Sequence, residues 1–298
     1  MLILKPKDLL QSLYMQNDNV LEIETMIEKP FLRWAGGKRW LIKHLPELLP
    51  KQFNDYHEPF LGGASIFLYL KSRNLIHNHS YLSDFNPDLI NVYKQLQNNF
   101  QEIIDLINSY KNERDFYYSI RAISPKNDIE KAAIFIYLNR TSYNGIYRVN
   151  RDGFYNVPFG YRTGKNLLDC SNFPKISKLL SQNVTFQSDD FEIIKENLKA
   201  HDLVFLDPPY TVAHENNGFI QYNQQIFSWD DQKRLAELLK VISDSNAYFI
   251  LTNAAHSCIA ELFDGLGTLR IVQRPSTIGG KGAKRTQVNE YIFTNVIL

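Results

Sequence analysis

Short apolar runs that end in a polar or turn residue recur along this chain, and each is followed by a stretch of helical period. They are Tyr56 to Phe60, Tyr81 to Asp84, Val184 to Phe186, Leu203 to Asp207 and Tyr248 to Asn253. A helix after each strand carries the chain back to the edge where it began, so the repeat predicts a mainly parallel, doubly wound α/β sheet. Helix starts carry their own signals. Asn86 then Pro87 precede DLINVYKQL, and Ser228 with Asp231 in capping-box spacing precedes RLAELLKVI; such side chains accept from the orphan N–H groups of a first turn. Near the end, TLRIVQRP and NEYIFTNVI flank the glycine-rich STIGGKGAKRT, the pattern of an antiparallel hairpin that would close the sheet.

The alternation stops between Leu89 and Leu180, where QEIIDLINSY and EKAAIFIYLNR read as helices ahead of a region rich in Gly, Asn and aromatic residues. The chain therefore divides into an N-terminal extension (1–28), a sheet-forming domain in two pieces (29–88 and 181–298), and an inserted, mainly helical domain (89–180). The extension carries a short helical pattern, KPKDLLQSLYM, then acidic residues, and no function is assigned to it.

Several classes are excluded. No apolar run approaches the roughly 18 residues of a membrane span, and the greasy part of MLILKPKDLL is too short for a signal peptide, so a cytoplasmic location is expected. Cys170 and Cys258 are single and far apart, which supports neither a disulfide nor a Cys-x-x-Cys site, and the scattered histidines offer no metal-binding spacing. The phosphate-binding P-loop and the GxSxG nucleophile turn are both absent.

A net charge of +1 hides a pattern. Arg140, Arg148, Arg151, Arg162 and Lys165 face one acid, Asp152, with Tyr143, Tyr147, Phe154, Tyr155, Phe159 and Tyr161 interleaved. Arg270, Arg274, Lys281, Lys284 and Arg285 form a second run with no acid. Basic residues track phosphates and aromatic rings stack on bases, so these runs point to nucleic acid; on charge alone, two solvated loops explain them equally well.

HDLVFLDPPY sets a buried strand directly before Asp207-Pro208-Pro209-Tyr210. Ligands of open α/β sheets bind outside the carboxyl ends of strands, where this carboxylate emerges. Two prolines fix φ, remove two donors and leave rigid carbonyls free to accept. A carboxylate and a carbonyl can together take both N–H groups of a planar exocyclic amine, which favours the tetrahedral nitrogen whose lone pair is nucleophilic. Tyr210 can stack on the ring that carries that amine. A plain proline turn is the alternative for the tetrapeptide by itself.

EPFLGGASIFLYL puts Glu58, Pro59 and Phe60 at a strand end, then Gly62, Gly63 and a small-residue helix start at Ser65. Glycines there let backbone approach a ligand closely, although the pattern is not the dinucleotide GxGxxG. Asp84 ends the next strand, 22 residues after Gly62, where an acid takes ribose hydroxyls or, read more simply, caps the helix beside Asn86. FLRWAGGKRWL adds Trp34, a Gly36-Gly37 turn and Lys38, a cation suited to a carboxylate. A nucleoside with an amino-acid tail satisfies all of these elements.

In these segments and their order the chain resembles the Dam-type (D12 class) DNA adenine N6-methyltransferases. FLRWAGGK, EPFLGGAS and DPPY match the family's FLKWAGGK-like, EPFxGxGS-like and DPPY segments. LNRTSYNGIYRVNRDGFYNVPFG matches its inserted recognition block, and QRPSTIGGKGAKRTQVNEYIF its RRSIS-type loop and last strand. The resemblance spans Phe31 to the C-terminus and implies a Rossmann-like methyltransferase domain with S-adenosylmethionine as cofactor. It assigns the cofactor to Trp34, Ala35, Gly36, Lys38, Glu58, Pro59, Phe60, Gly62, Ser65, Asp84, Phe85, Asp190, Phe191 and Asp207. Catalysis falls to Asp207, Pro208, Pro209 and Tyr210. DNA contacts fall to Arg33, Tyr143, Asn144, Ile146, Arg148 and Pro158, with Arg148 and Arg33 on guanines and Ile146 and Pro158 on thymine methyls.

The expected activity is adenine N6 methylation of duplex DNA by base flipping, with GATC as target. A monomer, no metal, and a cognate restriction endonuclease are also expected. Two positions depart from the family: Ala64 stands where glycine is usual, and Tyr161 replaces a basic residue. Cytosine N4, an RNA base or a protein glutamine as acceptor, or a DNA-binding module without catalysis, are the competing readings.

Overall fold

A computed structural model describes residues 30–150, 152–162, 164, 166–211, 227–275 and 287–297. Its sheet has the strands β1 (Tyr56–Glu58), β2 (Ser80–Asp84), β3 (Val184–Ser188), β4 (Leu203–Leu206), β5 (Tyr248–Ala254), β6 (Thr268–Pro275) and β7 (Gln287–Thr294). They lie in the order β3-β2-β1-β4-β5-β7-β6. The pairings from β3 through β5 are parallel, while β7 runs antiparallel to both β5 and β6. The expected doubly wound sheet and its closing hairpin are both present. STIGGKGAKRT, between β6 and β7, and the extension 1–28 lie outside the described residues.

Both faces of the sheet are covered, which is why its strands read as short continuous apolar runs. Along β4, Leu203 and Phe205 join one core, and Val204 and Leu206 join the other. The first core is closed by α1 (Ser65–Ser72), α2 (Pro87–Asn98), α3 (Phe100–Ser109) and α6 (Phe173–Leu180). The second is closed by α7 (Trp229–Asp244) and α8 (Ser257–Leu262). The helix starts form as their sequences dictate. Asn86 accepts from the N–H groups of Asp88 and Leu89 with Pro87 in the first turn, and Ser228 and Asp231 form a reciprocal capping box.

A small third core gathers Tyr117 and Ile120 of α4 (Arg114–Arg121), Ile134, Tyr137 and Leu138 of α5 (Asp128–Thr141), and Phe159. The other apolar side of α5, with Ala132, Ala133, Phe135 and Ile136, belongs to the sheet core. Sandwiched this way, α5 is buried all round from Ala132 to Thr141 and has no polar face. Past its end the chain makes a turn at Tyr143–Gly145 and an irregular hairpin, tied by bridges between Ser142 and Phe159 and between Val149 and Tyr155.

From β1 the chain winds outward through β2 to β3, then returns to β4 beside β1 and continues to β5. The order therefore reverses between β1 and β4, and the cleft of such a sheet opens at the carboxyl ends of those two strands.

Candidate active site

Asp207-Pro208-Pro209-Tyr210 leaves β4 at that reversal. Parallel pairing with β5 ends at Leu206 opposite Leu251, and after Asp207 come two prolines that lack the donors to extend it. The Asp207 Oδ1 accepts the Thr252 hydroxyl of β5 at 2.8 Å and pairs with Lys38 Nζ at 2.6 Å. Lys38 is only 5% exposed; its ammonium also donates to the Gly36 carbonyl at 2.8 Å and sits 4.9 Å from the centre of the Tyr210 ring. Burial pushes the Asp207 carboxyl above the usual range, with the Lys38 charge opposing it. The Tyr210 hydroxyl donates to Glu290 Oε2 at 2.6 Å, and Glu290, fully buried on β7, is ion-paired with Arg274 of β6. Burial and the Glu290 and Asp207 charges keep that phenol protonated.

Beside it, β1 ends on Glu58, whose Oε2 accepts the Tyr56 hydroxyl at 2.7 Å. Burial drives this carboxyl up to about 8; the Tyr56 hydrogen bond opposes the rise and the nearby Asp207 charge adds to it. The following turn holds Gly62 at φ +47°, and a Cβ there would come within 2.8 Å of the Trp34 ring. Tyr93 donates to the Gly62 carbonyl, and the Gly62 N–H donates to Asp84 Oδ2 at 2.9 Å. Asp84 Oδ1 accepts from the Asn86 N–H at 3.0 Å. Burial raises the Asp84 carboxyl against these two bonds. Ala64 adopts φ 54°, the left-handed region that glycine occupies at no cost, so the departure noted at this position is strained backbone and not only added bulk. Trp34 is stacked on Tyr147 of the hairpin at 5.7 Å and on Phe135 of α5 at 6.4 Å, which joins the glycine turn to the inserted segment.

Phe60 stacks on Phe191 with ring centres 5.4 Å apart. Asp190 caps the turn that begins at Phe191 by accepting the Glu192 N–H at 3.0 Å. Arg234 of α7 bridges Asp190 at 2.6 Å and Glu192 at 2.7 Å and lies over the Phe191 ring at 4.7 Å. Phe85 is apart from these residues in character: it is 80% exposed.

Asn139, fully buried on α5, organises the residues expected to meet DNA. It accepts the Arg33 N–H at 2.8 Å and donates to the carbonyls of Arg33 and Gly145. Asn144 and Gly145 take positive φ, and a Cβ on Gly145 would strike the Arg33 side chain at 2.7 Å. Arg33 Nη1 is buried there and has no hydrogen-bond partner among the described residues. The Tyr143 N–H donates to the Pro158 carbonyl at 2.8 Å, Tyr155 donates to the Ile146 carbonyl, and Arg148 Nε donates to Asn156 Oδ1 at 2.7 Å. Tyr143, Ile146, Phe154 and Tyr161 are exposed around this hairpin.

The structure corrects the charge pattern. Arg140 is buried, donating to the Phe31 and Asp169 carbonyls, so it ties core segments together and tracks no phosphate. Arg270 donates to the Glu47 carbonyl and Arg274 is bound to Glu290. Arg151, Lys165, Lys281, Lys284 and Arg285 lie outside the described residues. Among the described residues no three His, Cys, Asp or Glu side chains are grouped to hold a metal, and no helix is long and apolar enough to cross a membrane.

Sequence reasoning missed Thr252, Glu290, Asn139 and Arg234. Glu290 alone carried a signal, a carboxylate set within the apolar strand pattern NEYIFTNVI. The others are ordinary polar residues of a strand or helix.

A doubly wound sheet with an Asp-Pro-Pro-Tyr turn at its reversal sets a carboxylate and an aromatic ring where the ligands of open α/β sheets bind. Residues 34–276 match the model of the D12 class N6 adenine-specific DNA methyltransferases, and the chain belongs to that family. It is 32% identical over 286 residues to the type II methyltransferase M1.LlaDCHI of Lactococcus lactis subsp. cremoris, covering 93% of this chain and 99% of that one. It is 34% identical to the type II methyltransferase M.MjaIII of Methanocaldococcus jannaschii, over 86% of this chain and 95% of that one. It is 31% identical to the DNA adenine methylase of Haemophilus influenzae, over 89% and 92%. Membership makes the protein an adenine-specific DNA methyltransferase and implies S-adenosylmethionine as the methyl donor in general.

Proposed function

We propose that the protein transfers a methyl group from S-adenosylmethionine to N6 of an adenine flipped out of duplex DNA, within the target GATC. The observation that carries this reading is the Lys38 ammonium, an N–H donor held between the Asp207 carboxylate and the Tyr210 ring. A carboxylate and an aromatic face that already attract one nitrogen donor suit a second, an adenine amine, beside it.

The residues present fit the cofactor. Each Asp84 oxygen accepts one backbone N–H, which leaves a lone pair on each for the two hydroxyls of a ribose. Lys38 uses two of its three donors on Gly36 and Asp207, and the third suits a carboxylate tail. Phe60 and Phe191 offer an apolar wall for a purine, Asp190 acceptors at its edge, and Trp34, Ala35, Gly36, Glu58, Pro59, Gly62 and Ser65 the surrounding turns. Phe85, exposed at the end of β2, is free to cover the ligand from outside. When bound, S-adenosylmethionine supplies an electrophilic methyl on a sulfonium that leaves readily.

The chain's own groups do the rest. Asp207 and the Pro208 carbonyl take the two N–H groups of the amine, Pro209 keeps the turn rigid, and Tyr210 stacks on the base. Lys38 and Thr252 both engage Oδ1 of Asp207, so Oδ2 takes the N–H of the amine while Lys38 holds the carboxylate ionised. Most of the rate gain is then positioning. Extruding the base costs a few kcal/mol of stacking and pairing, which a wedge at Tyr143 and Asn144 and phosphate contacts offset.

The inserted segment 89–180 is proposed as the recognition domain, with α2, α3, α6 and one side of α5 packed on the sheet and the hairpin carried over the small core of α4 and α5. Arg148 and Arg33 would read guanines, and Ile146 and Pro158 thymine methyls. Two relatives are named type II methyltransferases, which supports a cognate restriction endonuclease as cellular partner. One copy carries every proposed contact, which favours a monomer.

Tritiated methyl transfer to duplexes that carry GATC, or GATC with one base pair changed, tests the reading. GATC is expected to be methylated, and Arg148→Ala to relax discrimination at its guanine by roughly 10- to 100-fold. Equal methylation of all duplexes, or a preferred site without GATC, overturns the specificity.

A further inference from the structure

Glu290 is a carboxylate with 0% exposure in a strand whose following residues Ile292, Phe293 and Thr294 are core. It sits on β7 between Ala254 of β5 and Val272 of β6. A buried charge is costly unless it is paired and fully hydrogen-bonded, and a fold that needed only a filled position there is served as well by an apolar side chain. Both Glu290 oxygens are engaged: Oε1 by the Arg274 guanidinium, Oε2 by the Tyr210 hydroxyl at 2.6 Å.

The other end of that hydrogen bond is a ring in the catalytic turn. Rotation of a tyrosine ring about χ2 is broad and two-fold, so the side chain's own torsional preference does not set its plane. Pro209 restricts the backbone on one side of Tyr210, and the phenol is anchored to Glu290 on the other. The Lys38 ammonium marks the face that the ring turns toward Asp207. Arg274 in turn fixes Glu290 and neutralises it.

We infer that Glu290, held by Arg274, is a positioning residue that fixes the ring of Tyr210 at the angle from which it stacks on the target base. The inference rests on the proposal that Tyr210 stacks on that base. The stacking plane is then set by the chain Arg274–Glu290–Tyr210, which ties the turn after β4 to the closing hairpin.

Tyr210→Phe removes the hydrogen bond and keeps the ring. It is expected to lower kcat about three- to tenfold, the loss of one hydrogen bond. Cofactor affinity is expected to hold, and the melting temperature to fall by a few degrees because Oε2 of the buried Glu290 loses its partner. With 2-aminopurine at the target adenine, the variant should show weaker quenching than wild type, because the ring no longer stays under the base. Glu290→Gln, which still offers a carbonyl oxygen to the phenol, should recover more activity than Glu290→Ala. The double variant Tyr210→Phe with Glu290→Gln should be no slower than Tyr210→Phe alone.

Wild-type kcat and wild-type quenching in Tyr210→Phe overturn the inference, and this variant serves even where Glu290→Ala does not fold. Tyr210→Ala separates the two ideas. If it is inactive while Tyr210→Phe matches wild type, the positioning role alone fails. If Tyr210→Ala methylates adenine normally, the stacking proposal fails and the inference falls with it.

Discussion

Replacing Glu58 by glutamine should change how the protein's stability depends on pH. Glu58 is 3% exposed, and burial is the largest cause of its raised carboxyl. From its ordinary 4.5 to about 8, at about 1.4 kcal/mol for each tenfold, ionising this side chain in the fold costs roughly 5 kcal/mol. Between those two values the native state keeps a proton that the unfolded chain has released. Stability contributed by the neutral acid is therefore fully present below 4.5 and is lost as pH rises to about 8. Glutamine is neutral throughout and does not titrate. Urea unfolding of wild type and Glu58→Gln from pH 5 to pH 9 isolates the effect, because groups common to both cancel in the difference. The variant should gain on the wild type steadily through the window, by several kcal/mol in total, and the gap should level off above about 8. A difference that stays constant with pH would refute the assignment of a buried neutral acid at the end of β1. A gap that widens toward low pH would mean that Glu58 is ionised in the fold and held by partners.

Gly62→Ala places a Cβ 2.8 Å from the Trp34 ring at a φ of +47°. The strained backbone alone costs about 1 to 2 kcal/mol, so denaturant unfolding should show at least that loss and calorimetric titration with S-adenosylmethionine should show weaker binding. Lys38→Met removes the cation that opposes the upward shift of the Asp207 carboxyl. Asp207 then ionises at higher pH, and with saturating cofactor the acid limb of the kcat profile should move to higher pH; an unmoved limb would show that Lys38 does not hold Asp207 ionised.

What could be read in advance follows the range of the interactions. The strand of Leu203 to Leu206 and the caps at Asn86 and Ser228 were legible because each rests on neighbours within a few residues. The Asp-Pro-Pro-Tyr turn was legible because proline acts on its own backbone. Arg140 was misread as a surface cation since its partners lie far away, at Phe31, 109 residues off, and at Asp169, 29 off. The Glu290 bond to Tyr210 spans 80 positions and that of Thr252 to Asp207 spans 45, and neither strand's own pattern points to its partner. Helix α5 shows why periodicity failed to declare its faces: it packs against two cores, so no polar stripe exists to be read.

The most direct test of the central claim is methylation of genomic DNA from a host that lacks adenine methylation, by purified wild type and Asp207→Ala with S-adenosylmethionine. Modified bases are then read with their sequence context. The account predicts N6-methyladenine at GATC with the wild type and none with Asp207→Ala. Cofactor binding without any adenine mark from the wild type, or equal marks from both proteins, would contradict it.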